Sequence, residues 1–161
     1  MTALRSDDGK IQVTEDGGAN WREITGWPAK WVSRVTASQH RVGTVYVTLN
    51  GFREDDFGCY VYKSTDFDKT FESIKANLPE ETVNVIRDDP KNPNLLYLGT
   101  DMGIYVSPDK GGSWQSLCNN LPTIPVHDLV IHPRENDLVI GTHGRSVWIM
   151  DIESIQKMVD E

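Results

Sequence analysis

The chain has 161 residues, with 16 Lys and Arg against 24 Asp and Glu, and a formal charge of −8 at pH 7. That length suits about one domain. The acidic balance excludes a protein built to grip nucleic acid or an anionic membrane face, since both need clustered cations. Charged residues make up 25% and hydrophobic residues 38%, a composition that folds rather than staying disordered. No apolar run approaches the length of a bilayer span, so no membrane insertion is expected, and Met1 to Lys10 holds no apolar signal core. Cys59 and Cys118 are too few for a disulfide framework or a four-cysteine zinc site, and are expected to be free thiols. His40, His127, His132 and His143 show no HExxH-like spacing. No metal or cofactor is expected.

In chain order, short β-rich runs alternate with turn residues. Trp21 to Ile24 is followed by Val32 to Thr36, Thr44 to Thr48, Cys59 to Lys63 and Phe71 to Ile74. Then come Val83 to Ile86, Leu95 to Thr100, Gly103 to Val106 and Trp114 to Leu117. The last group is Val126 to Ile131, Asp137 to Thr142 and Ser146 to Met150. Three turns between these runs repeat one pattern: Thr14-Glu15-Asp16-Gly17-Gly18-Ala19-Asn20-Trp21, Ser64-Thr65-Asp66-Phe67-Asp68-Lys69-Thr70-Phe71 and Ser107-Pro108-Asp109-Lys110-Gly111-Gly112-Ser113-Trp114. The aromatic positions lie 50 and then 43 residues apart. A unit of that length suits a four-stranded propeller blade. With strands A to D in each blade, the chain reads B-C-D, A-B-C-D, A-B-C-D, A-B-C. The predicted fold is therefore all-β: a partial β-propeller of 14 strands, about three and a half antiparallel blades, over residues 1–151. A helical tail is predicted over 152–161, capped by Asp151, with Ile152, Ile155, Met158 and Val159 on one face.

The three turns resemble the Asp-box (BNR) repeat of sialidases, sortilin-type receptors and xyloglucan-cleaving glycoside hydrolases. The segments Arg53 to Asp66, Leu129 to Asp137 and Gly141 to Asp151 are similar to the sortilin-like bacterial propellers that carry a "glycosyl hydrolase" label. Asp68 departs from the box glycine, and no box follows Trp148. The resemblance implies the C-terminal part of a longer propeller, from a family often secreted or periplasmic. It also implies structural roles for Asp16, Asp66 and Asp109, whose carboxylates accept turn N–H groups. Trp21, Phe71 and Trp114 are expected to pack beneath the turns and lock adjacent blades.

Meander geometry puts these turns, with His40 and His132, on one face. The other face collects Trp27, Lys30, Trp31, Arg53, Glu54, Asp55, Asp56, Glu80, Glu81, Asp101, His127, Asp128, His143 and Arg145. Of these, Trp27, Trp31, Asp101, His127, Asp128, His143 and Arg145 are the candidate ligand contacts. Trp27 and Trp31 suit either a sugar platform or loop packing. Arg145 suits either a ligand contact or an ion pair with a neighbouring blade. Glycoside hydrolysis needs two carboxylates at a defined separation. No arginine triad or Tyr–Glu pair of the sialidase kind is evident, so no catalytic residue is assigned. The expected function is a non-catalytic scaffold or interaction surface with a carbohydrate or protein ligand. The alternative is a sialidase-like or xyloglucan-active hydrolase, or a carbohydrate-binding module. An open arc leaves blade faces and strand edges uncovered. The expected partners are a second copy of the chain or the remaining blades of a longer propeller.

Overall fold

The structure is a computed structural model and describes residues 2–5, 8–14, 16–117 and 120–158. Cys118 and Val159 lie outside the described residues. The first sheet is β1 (Thr2–Arg5), β2 (Ile11–Thr14) and β3 (Arg22–Ile24). The second is β4 (Trp31–Ala37), β5 (Val45–Gly51), β6 (Asp56–Ser64) and β7 (Glu72–Ser73). The third is β8 (Val83–Asp88), β9 (Leu96–Thr100), β10 (Ile104–Ser107) and β11 (Gln115–Ser116). The fourth is β12 (Val126–His132), β13 (Asp137–Thr142) and β14 (Val147–Asp151), followed by α1 (Glu153–Met158). Each sheet is an antiparallel meander in chain order, of 3, 4, 4 and 3 strands. The chain is thus an all-β arc of four propeller blades, two of them complete.

The inner strands of the second and third blades read as nearly continuous apolar runs because those blades are buried on both faces. Alternate side chains of one strand enter different cores. Val45, Val47 and Leu49 of β5 join Ile11, Val13 and Ile24 of the first blade. Tyr46, between them, joins Ile86, Leu96 and Leu98 of the third blade. On the other side of the third blade, Tyr97, Ile104 and Val106 meet Leu129, Leu138 and Ile140 of the fourth. The hydrophobic core is therefore three separate inter-blade layers rather than one centre.

The first strand of each later blade breaks register at one position: between Val32 and Arg34, between Val83 and Val85, and between Val126 and Asp128. These β-bulges set apart Ser33, Asn84 and His127, and a bulge re-aims the extra side chain.

The tail helix runs over Glu153–Met158 among the described residues, and residues 159–161 of the predicted tail lie outside them. Asp151 Oδ1 does accept the Glu153 N–H at 2.8 Å. Ile152 is buried and Ile155 half-buried, but the inner face continues with Gln156. Its amide donates to Asp89 Oδ2 at 2.7 Å, while its carbonyl accepts from Asn92 Nδ2 at 3.1 Å. A polar anchor in the third blade, not an apolar stripe alone, seats the helix.

Candidate functional site

The three repeated turns share one hydrogen-bond plan. The first hydroxyl (Thr14, Ser64, Ser107) donates to the aspartate Oδ1 at 2.8, 2.9 and 2.8 Å. The same hydroxyl oxygen accepts the N–H of Gly18, Asp68 or Gly111. Each aspartate then takes both the N–H and the side chain of Asn20, Thr70 or Ser113. Those three polar side chains were not singled out from the sequence, though their shared offset was the signal. Bonds from Asn20 hold Asp16 well below the usual carboxylate range, and bonds from Thr70 do the same for Asp66. Burial pushes Asp109 up, but bonds from Ser113 and Ser107 outweigh it and leave it lowered. A lowered folded pKa stabilises above the unfolded value of about 4 and loses that contribution as pH falls. The stability gap between the native chain and Asp66→Asn should therefore narrow below about pH 4. A constant gap down to about pH 2 in acid-titrated melting curves would contradict this.

Each turn passes two consecutive residues through left-handed backbone: Gly17-Gly18, Phe67-Asp68 and Lys110-Gly111. At Gly111 a Cβ would meet Ile74 at 2.8 Å, so close approach as well as φ demands glycine there. Asp68, at φ 62°, is buried beside Arg22 at 3.8 Å. Asp109→Ala is expected to cost about 1–2 kcal/mol, as for loss of a helix-capping side chain. Asp68→Gly, which relieves the left-handed strain, should cost nothing or stabilise. Equal losses in thermal melts would contradict this.

The box aromatics are not equivalent. Trp114 is 3% exposed and donates its indole N–H to the Ile74 carbonyl of the preceding blade at 2.8 Å. Phe71 meets Trp27 edge-on at 4.8 Å between ring centroids. Trp21 is 41% exposed. Its departure from the packing expected has a simple cause: no described blade precedes the first.

On the opposite face, a cavity of about 380 Å³ is lined by Trp31, Asn50, Phe52, Arg53, Asn84, Asp101, Pro125, His127 and His143. It draws on the second, third and fourth blades. The bulged strands explain its walls. Asn84 accepts from Asn50 Nδ2 at 2.9 Å and donates to Asp101 Oδ1 at 2.8 Å, so one amide chain ties two blades. His127 stacks on His143 at 5.3 Å between centroids. Arg53 lies over the Trp31 ring at 5.3 Å, a cation–π arrangement. Ser33, the third bulged residue, is buried and donates to the Val83 carbonyl instead.

The other predicted residues are engaged elsewhere. Trp27 packs against Phe71 and Tyr62 and donates to the Gly9 carbonyl at 2.9 Å. It does not line the cavity, so Trp27 and Trp31 form no joint platform. Asp128 accepts from Arg34 at 2.8 Å and Arg87 at 3.0 Å. Lys30 binds Glu54 and Asp56 at 3.0 and 2.8 Å. Those two bonds raise the lysine, and the Lys30 bond foremost lowers Asp56 to about 2. Glu80 pairs with Lys75, and Glu81 accepts from Thr100 and Tyr105. Arg145 is exposed and makes no ion pair among the described residues; its carbonyl accepts from the Trp148 indole. His40 bonds the Asp89 carbonyl, and His132 Nδ1 accepts the Glu135 N–H. Cys59 is a buried free thiol, pushed by burial up to about 12. Asp101 is thus the single carboxylate among the residues lining the cavity.

No protein-family model matches the sequence, and no curated protein sequence matches it. Solved structures do resemble the fold. The GH74 xyloglucanase from Xanthomonas campestris aligns with 93% of this chain and 26% of its own, at TM-score 0.71 and 11% identity. YCF48 from Cyanidioschyzon merolae aligns with 92% of this chain and 49% of its own, at TM-score 0.67 and 9% identity. YCF48 bound to D1 peptide aligns over 94% and 51%, at TM-score 0.57 and 16% identity. The chain therefore spans about a fifth to a half of the length of the structures it resembles. At these identities the likeness shows the propeller fold and no more.

Proposed function

We propose that the chain is a non-catalytic propeller arc whose loop face receives a carbohydrate or peptide ligand between Trp31 and the His127–His143 pair. The observation that carries this is the cavity wall. It offers aromatic faces, two imidazoles and a guanidinium, but one carboxylate, Asp101. A glycoside hydrolase needs a second carboxylate roughly 5–10 Å away. The neighbouring acids Glu54, Asp56 and Asp128 are held in ion pairs instead. Aromatic rings and convergent polar groups in a concave site are the ordinary makings of a binding pocket. Structural neighbours of both kinds, a xyloglucanase and a peptide-bound YCF48, support the choice of ligand classes. The finer reading makes the three repeated turns Asp-boxes that build the blades, in a relative of the sortilin-like bacterial propellers. It rests on the motif spacing and on the segments Arg53 to Asp66, Leu129 to Asp137 and Gly141 to Asp151.

Glycan and peptide arrays probed with the native chain test the proposal. A captured ligand should bind at least about tenfold more weakly to Trp31→Ala, as for loss of a central aromatic anchor. Trp27→Ala should keep the affinity. No binding to any feature, or equal losses for the two variants, would overturn the proposal.

A further inference from the structure

On the face that carries the repeated turns, a second cavity, of about 320 Å³, opens between the second and third blades. Both of these blades are complete, so its walls owe nothing to the ends of the arc. Arg41, Lys63 and Lys110 line it together with Ser38, Thr44 and Thr65, and no carboxylate does so among the described residues. The chain as a whole is acidic, at −8, so the cations gathered here run against its average. The backbone that carries them is pinned. The turn from Ser38 to Thr44 closes through the Ser38 N–H, which donates to the Thr44 carbonyl at 2.9 Å. It is tied to the third blade by Asp88 Oδ2, which accepts from Ser38 Oγ at 3.0 Å and the Gln39 N–H at 2.8 Å. Lys110 sits in a repeated turn with its N–H on the Asn94 carbonyl at 2.9 Å, and Lys63 Nζ reaches the Lys110 carbonyl at 3.4 Å.

The acids nearby are already occupied. Glu72 pairs with Lys63 at 3.3 Å. Asp66 and Asp109 accept the donors of their own turns, and Asp89 accepts from Lys91, Asn92, Tyr97 and Gln156. Asp88 Oδ1 is left without a partner, but it is buried and outside the cavity wall. Arg41 and Lys110, by contrast, are exposed and make no ion pair among the described residues. Thr44 gives an independent sign. It is 5% exposed, and its hydroxyl is buried with no hydrogen-bond partner. Buried polar groups are rarely left so, and a hydroxyl beside cations can donate to what they attract.

We propose that this cavity binds a tetrahedral oxyanion, the sulfate or phosphate group of a small ligand, with Arg41 and Lys110 as charged donors and Thr44 as a hydroxyl donor. The guanidinium presents paired N–H groups in a fork, and ammonium and hydroxyl donors add to it from other sides. A tetrahedral group has three or more oxygens to receive them, where a carboxylate has two. The volume sits at the lower end of small-ligand sites, roughly 300–1,000 Å³.

Titration calorimetry at low salt, with inorganic phosphate, inorganic sulfate, a hexose phosphate and the neutral hexose, tests the proposal. The anions should bind the native chain and the neutral hexose should not. Arg41→Ala should weaken anion binding at least about tenfold, as for loss of a charged hydrogen-bond donor. Thr44→Val, which keeps the shape, should weaken it about threefold or more. It should melt as the native chain does in anion-free buffer, since the hydroxyl holds no bond within the chain. Arg134→Ala removes an equal charge from another exposed turn and should bind like the native chain. Tighter binding of the hexose phosphate than of the inorganic ion assigns the site to an ester, and equal binding assigns it to the free ion. No binding of any anion, equal losses in Arg41→Ala and Arg134→Ala, or full binding by Thr44→Val would overturn the proposal. The cavity lies on the face opposite Trp31, so this proposal and the ligand capture proposed above fail independently.

Discussion

Trp114→Ala is expected to lower the unfolding free energy by about 3–5 kcal/mol, whereas Trp21→Ala should cost under about 0.5 kcal/mol. The two residues hold the same place in the repeated motif, so sequence alone ranks them equally. Their surroundings differ. Trp114 fills the layer between the second and third blades, with its ring nitrogen satisfied by the Ile74 carbonyl. Its backbone N–H donates to Asn77 Oδ1, and its carbonyl accepts from Asn77 Nδ2. Truncation leaves a cavity and an unpaired buried carbonyl together. Trp21, at the outer edge of the first blade, is 41% exposed and fills no inter-blade layer among the described residues. Urea unfolding followed by far-ultraviolet circular dichroism measures both variants. Similar midpoints would contradict the assignment of Trp114 as the inter-blade lock.

Asp89→Ala is expected to cost about 3 kcal/mol, because several buried donors lose their acceptor at once. Asp89 is fully buried. Its Oδ1 accepts the N–H groups of Lys91 and Asn92 at 2.8 and 2.9 Å. Its Oδ2 accepts from Tyr97 Oη at 3.2 Å and from Gln156 Nε2 at 2.7 Å. One carboxylate thus shapes the turn after β8, anchors the central tyrosine and seats α1. Hydrogen exchange should show lost protection at Gln156, whose N–H bonds the Ile152 carbonyl, before the third blade opens. Unchanged protection there would show that the helix is held by Ile152 and Ile155 alone.

The blade plan was legible because its signals are local. Gly, Asn, Asp and Pro punctuate short β-rich runs, and the Ser/Thr-x-Asp turns recur at blade spacing. The strand count and the meander order followed from those features. Asp89 was not legible, since nothing in Arg87-Asp88-Asp89-Pro90 says that its partners lie both in the adjacent turn and 67 residues away. The candidate site divided for the same reason. Trp31, Asp101, His127 and His143 come together because each sits at the same end of a blade's inner strands. Trp27 sits four residues before Trp31 and turns inward to Phe71, a direction set by packing rather than spacing. Asp128 is taken up by Arg34 and Arg87, contacts between blades that no single-blade pattern encodes. The three bulges left no mark in the apolar periodicity, yet they placed Asn84 and His127 in the cavity wall.

Binding without cleavage is the central claim, and the cavity's single carboxylate is what it stands on. The most direct measurement incubates the native chain with xyloglucan oligosaccharides and with a sialylated trisaccharide, and counts products by mass spectrometry. The expected result is no product above the protein-free rate for either substrate. Turnover that disappears in Asp101→Asn would contradict the account and establish a hydrolase.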